Sequence, residues 1–138
     1  MAEELQRLVF LDSSVLIEYF RKGKKENSFF YKLIGTNRFN GFLVSGIVKL
    51  EIYAGVNEKQ KLFWNNLFED LILRPFDLKN IKDALIIQSE LKTGKRKIAI
   101  PDLMIAATAK TLDLPLATIN ESHFADISGL SIITPASL

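Results

Sequence analysis

The chain has 138 residues, no cysteine, one histidine and a net charge of +2. That length suits one domain with a real core, and no apolar stretch approaches the length of a membrane span. Disulfides, thiolate metal sites and cysteine nucleophiles are excluded, which fits a reducing cytoplasm, while Met1–Arg7 carries acids and no apolar run, so no secretory signal is expected there.

Leu8–Leu11 is an apolar run ending at Asp12 and reads as a short buried strand. Val15, Leu16, Tyr19 and Phe20 then recur at helical spacing over 13–20, closed by Arg21-Lys22-Gly23. Phe29, Phe30, Leu33 and Ile34 indicate a second short helix stopping at Gly35. Gly41–Val44 reads as a second strand, and Ser45 is a suitable N-cap for a helix through Ile47, Val48, Leu50, Ile52 and Ala54. Residues 58–70 form an amphipathic helix around Leu62, Phe63 and Leu67.

A third strand is expected at Leu71–Leu73 and a helix over 79–93, followed by a basic loop at 95–99. Pro101 opens a strongly apolar helix, Asp102–Leu112. Leu116–Ile119 is a fourth strand, 120–126 a short segment, and Ser131–Ile133 a fifth strand. Short apolar strands alternating with helices predict an α/β fold with a parallel sheet covered on both faces. No repeat or linker divides the chain, so one domain spans 1–138.

Three acids stand among apolar residues: Asp12 at the end of the first strand, and Glu51 and Asp102 in helices. Each also has a purely structural account. Asp12 suits a helix N-cap. Glu51 is expected on a stripe with Ile47, Leu50 and Ala54, at whose rim its head can reach water. Asp102 suits the first turn of a helix, where the macrodipole favours a negative charge. Their coincidence favours a site, because ligands of open parallel sheets bind beyond the carboxyl ends of the strands.

Carboxylates without cysteine define a hard, oxygen-rich site suited to Mg²⁺ or Mn²⁺. Metal-assisted hydrolysis of a phosphodiester is the reaction such a site most naturally serves. The single histidine, His123, rules out a multi-histidine zinc site, and no G-x-S-x-G elbow, Walker motif or dinucleotide fingerprint is present. His123 is expected to be structural or to support the site from outside, rather than to act as a general base.

Four stretches together resemble the PIN-domain ribonucleases, and within them the VapC-like toxins of prokaryotic toxin–antitoxin pairs. They are Leu11-Asp12-Ser13-Ser14-Val15-Leu16-Ile17; Val44-Ser45-Gly46-Ile47-Val48-Lys49-Leu50-Glu51-Ile52-Tyr53-Ala54-Gly55; Ile100-Pro101-Asp102-Leu103-Met104-Ile105-Ala106-Ala107-Thr108-Ala109; and Leu116-Ala117-Thr118-Ile119-Asn120 with His123-Phe124. The resemblance implies a three-layer α/β/α PIN-like fold with a central parallel sheet of about five strands. It also implies a homodimer, an Mg²⁺- or Mn²⁺-dependent endoribonuclease activity on RNA, and a cognate antitoxin. By position, Asp12, Glu51 and Asp102 match the family's metal-binding, catalytic acids, with Ser13 in support. Asn120 stands where many PIN domains carry a fourth acid, and Ser14 where asparagine is common.

Arg21, Lys22, Lys24 and Lys25 form one basic cluster, and Lys92, Lys95, Arg96 and Lys97 another. Of these, Lys95, Arg96 and Lys97 are the expected RNA-binding residues, since they precede Asp102. Two rival readings stand beside the nuclease. A phosphotransfer domain of the haloacid-dehalogenase kind needs a second aspartate where Ser14 stands, and a receiver needs a late lysine that Ile119-Asn120 does not supply. A non-catalytic PIN-fold module binding RNA or protein is supported by the uncharged Asn120.

Overall fold

The computed structural model describes residues 6–138, so the secretory-signal expectation for Met1–Arg7 lies largely outside the described residues. The strands β1 (Leu8–Leu11), β2 (Gly41–Ser45), β3 (Ile72–Arg74), β4 (Leu116–Ala117) and β5 (Ile132–Ile133) are all parallel, in the order β3-β2-β1-β4-β5. Phe10 of β1 lies in register with Leu43 on one side and Leu116 on the other. Val9, Phe10 and Leu11 are fully buried, as the central strand of a sheet covered on both faces must be. The strand order reverses at β1, which places a crevice at the carboxyl ends of β1 and β4.

Seven helices complete the layers: α1 (Ser13–Arg21), α2 (Phe29–Gly35), α3 (Gly46–Ala54), α4 (Lys61–Glu69), α5 (Leu78–Thr93), α6 (Ile100–Thr111) and α7 (Glu121–Phe124). Helix α1 packs on α2 and α3, α3 on α6, and α6 on α5. The aromatic residues of α1, α2 and α4 serve mainly as core. Phe20 meets Trp64 at 5.2 Å between ring centroids and Tyr19 meets Phe30 edge-on at 5.3 Å. Among the described residues, no helix is long and apolar enough to cross a membrane.

Helix α4 begins three residues after the expected 58, because Asn57 and Gln60 close a turn on each other, backbone N–H to side-chain oxygen in both directions. Helix α3 differs more. Its buried residues are Val48 and Ile52, whereas Leu50 is 66% exposed, so the expected stripe of Ile47, Leu50 and Ala54 is not the core face. Apolar residues surround this helix on nearly all sides, so periodicity alone cannot set its rotation. The Ser45 hydroxyl, accepting from the Ile47 N–H at 3.3 Å, helps fix it where it enters from β2.

Candidate active site

Asp12 follows a wholly buried strand, and its N–H donates to the Ala117 carbonyl at 3.0 Å, holding the ends of β1 and β4 together. It occupies the N-cap position of α1, yet its side chain makes no capping bond. The carboxylate of this 2% exposed residue turns inward instead. Oδ2 accepts from Ser14 Oγ and from Thr118 Oγ1, both at 2.8 Å, while Oδ1 has only a long 3.5 Å contact with Ser13 Oγ. Each strong donor is itself held by the chain after β4. The Ile119 N–H donates to Ser14 Oγ at 3.2 Å and the Asn120 N–H to Thr118 Oγ1 at 3.0 Å. These relays polarise one another and fix the carboxylate's plane.

Asp102 lies in the first turn of α6, whose N-cap Ala99 offers no side-chain acceptor, with Pro101 beside it. Its Oδ2 is 3.1 Å from His123 Nδ1, so α7 supports the acid from the solvent side. Burial pushes the Asp102 carboxyl above its ordinary value, the charge of Asp12 pushes it further, and His123 pulls the other way. Glu51 stands at the exposed rim of α3. Its carboxyl is also raised, first by partial desolvation and then by the charges of Asp102 and Asp12. Because Glu51 remains open to water, solvent screens much of that repulsion.

The three acids thus converge electrostatically from three elements, and all their donors are oxygen. The ion pairs among the described residues are Lys61–Glu58, Arg96–Asp126 and His123–Asp102, so no lysine or arginine neutralises the group. Nor, among the described residues, are three such side chains already gathered closely enough to ligate one ion. That is compatible with Mg²⁺, which keeps several waters and needs only one or two direct carboxylates. An oxygen-only group of like charges, with Asp12 Oδ1 held only by the long Ser13 contact, fits a hard divalent cation, which would relieve the repulsion.

The supporting residues divide. Ser13 is half-buried beside Asp12, and Asn120 borders the same opening at the start of α7. Lys95 and Lys97 are exposed, but the Arg96 guanidinium is occupied by the Ser122 and Ala125 carbonyls and by Asp126 Oδ2 at 3.1 Å. Arg96 therefore anchors the loop to the α7 region. Thr118 and Ser14 are the site residues that local sequence reasoning overlooks. Their signal is the adjacency of β1 and β4, which no local pattern carries.

A PIN-domain family profile matches residues 9–130. Ribonuclease VapC1 of Methanocaldococcus jannaschii is 30% identical over 127 residues, covering 88% of this chain and 82% of that relative. Among solved structures, DNA-bound VapBC from Salmonella typhimurium aligns with a TM-score of 0.79 at 20% identity, covering 94% of this chain and 98% of that one. FitAcB from Neisseria gonorrhoeae aligns at a TM-score of 0.71 and 25% identity, covering 94% and 99%.

Proposed function

Because the chain belongs to the PIN-domain family, we propose that it is a cytoplasmic, divalent-metal-dependent endoribonuclease, the toxin of a toxin–antitoxin pair. One observation carries the reading: a buried aspartate, oriented by two short hydroxyl bonds on one oxygen, faces two further carboxylates with no lysine or arginine paired to any of the three. A buried carboxylate costs several kcal/mol, on the order of a protein's whole margin of stability, unless a cation or donors offset it, and function is the reason to keep such a group.

Asp12 through Oδ1, Asp102 and Glu51 would hold Mg²⁺ or Mn²⁺. When bound, such an ion lowers the pKa of water and offsets charge on a phosphodiester. The protein's own residues set the geometry. Ser14 and Thr118 keep Asp12 Oδ2 occupied, so its other oxygen faces the site. His123 does the same for Asp102 Oδ2. Ser13 and Asn120, both uncharged, line the approach and can donate to RNA oxygens or water.

An antitoxin is the expected partner, since a toxin–antitoxin complex from Klebsiella pneumoniae is among the solved structures of similar fold. A homodimer is supported by helix α5, where Leu78 and Leu85 share a face at 85% and 61% exposure. A non-catalytic RNA-binding module is the second reading, favoured by Asn120 in place of a fourth acid.

Incubating the protein and its Asp12→Asn variant with total cellular RNA in Mg²⁺, Mn²⁺ or chelator separates the two readings. Discrete new ends that require both metal and Asp12 are expected. RNA bound but never cut, in any metal, would establish the module instead.

A further inference from the structure

We infer that the depression along α1 is the track of the RNA backbone, with Arg21 and Lys22 as its phosphate-binding cations. This assignment rests on the ribonuclease reading for its ligand and on separate observations for its place.

The depression, ≈ 590 Å³ in volume, opens at Ser13, Ser14 and Asn120 and extends past Ile17 to Arg21 and Lys22. Ser14, Ile17 and Arg21 follow one another at three- and four-residue spacing and so share one helix face. The rise from Ser14 to Arg21 is about 10 Å. The two cations therefore meet a phosphate other than the one at the carboxylates.

Both cations are free to bind a ligand. Arg21 and Lys22 are exposed, and among the described residues neither side chain forms an ion pair. A basic residue in a last helical turn ordinarily serves the helix's negative end. Here Lys25 already fills that role, donating from Nζ to the carbonyls of Tyr19 at 2.6 Å, Phe20 at 2.8 Å and Lys22 at 2.9 Å. Glu18 is the one acid lining the depression, and its Oε1 is occupied by the Phe29 N–H at 2.7 Å, which caps α2. The groove presents neutral hydroxyl and amide groups at the acid end, the tethered Glu18 carboxylate midway, and two unpaired cations at the far end.

The basic loop across the site compares poorly. The hollow there is ≈ 240 Å³, and Arg96 beside it is tied to carbonyl groups and Asp126. That leaves Lys95 and Lys97 as subsidiary contacts.

The test measures affinity for a short single-stranded RNA of mixed sequence across a salt series, in Mg²⁺ and an Asp12→Asn background that cannot cut. Arg21→Ala with Lys22→Ala should lower the magnitude of the log K against log salt slope by about 1.4, at about 0.7 per single-strand phosphate contact. Lys95→Ala with Lys97→Ala should lower it less. With Asp12 restored, the groove variant should raise KM for long RNA and leave kcat nearly unchanged, with melting temperature confirming the fold. An unchanged slope and KM, while the parent still cuts in metal, would overturn the track and leave the ribonuclease standing. A reduced slope in a parent that never cuts would support the track and end the ribonuclease. An unchanged slope with weakened binding of the antitoxin would assign the groove to a protein and overturn the inference.

Discussion

Asp12 receives both of its short hydrogen bonds on Oδ2, so the value of its neighbours is unequal. Thr118 is buried, and its hydroxyl both donates to Asp12 and accepts the Asn120 N–H. Thr118→Val removes one of the two donors to Asp12 Oδ2 and takes the acceptor from the Asn120 N–H, and should lower stability by about 1–3 kcal/mol in denaturant titration. RNA cleavage should fall as well, because the carboxylate loses its fixed plane. Ser14→Ala should cost less, since water can reach that half-buried position. Asp102 and Glu51 give a second expectation, from their raised carboxyl values. The folded protein keeps protons there that the unfolded chain has already released, so metal-free stability should fall as pH climbs from the ordinary carboxylate range through the raised values. Melting temperature against pH in chelator should show that fall, and Asp102→Asn should flatten it. A curve identical for both proteins would mean that neither burial nor the charge of Asp12 raises the Asp102 carboxyl. At this scale the sequence revealed the acids, because a carboxylate among apolar residues is conspicuous. It hid Ser14 and Thr118, because a short neutral hydroxyl acquires its meaning only from a partner more than a hundred residues away.

At the scale of elements, the end of α1 depends on one side chain from outside it. Lys25 bonds three carbonyls and lies 5.2 Å from the Tyr19 ring centroid and 5.4 Å from that of Phe63. Lys25→Met keeps the apolar stem and removes the ammonium, so the loss should be about 2 kcal/mol, read as a lower denaturant midpoint at unchanged slope. No shift in the midpoint would show that water replaces the ammonium freely. The sequence placed Lys25 only in a basic cluster, since nothing local shows which cation folds back on its own helix. Strand positions were easier to read. Leu8–Leu11 was legible to the residue because an apolar run bounded by Arg7 and Asp12 leaves little choice. The rotation of α3 was not legible, because Ile47, Val48, Leu50 and Ile52 surround it with competing apolar faces.

At the scale of the whole molecule, alternating strands and helices made the parallel sheet legible, whereas the central place of β1 emerges only from the strand order. At the other extreme, β3 is an edge strand with Ile72 and Leu73 each 47% exposed, and α5 follows it with Leu78, Ile81 and Leu85 on one face. An apolar stripe of this kind suits a second copy of the chain. Leu78→Glu with Leu85→Glu should convert a dimer to a monomer in sedimentation while RNA cutting sites stay the same. A parent that is monomeric at every concentration would remove the dimer.

The central claim is that Asp12, Glu51 and Asp102 are held near one another for a divalent cation. Its most direct test is equilibrium Mn²⁺ binding by the metal-free protein and by Asp12→Asn, Asp102→Asn and Glu51→Gln. Saturable binding is expected, abolished by Asp12→Asn, strongly weakened by Asp102→Asn and weakened least by Glu51→Gln, whose carboxylate is the most exposed. Binding of equal strength in all four proteins, or none in the parent, would contradict it.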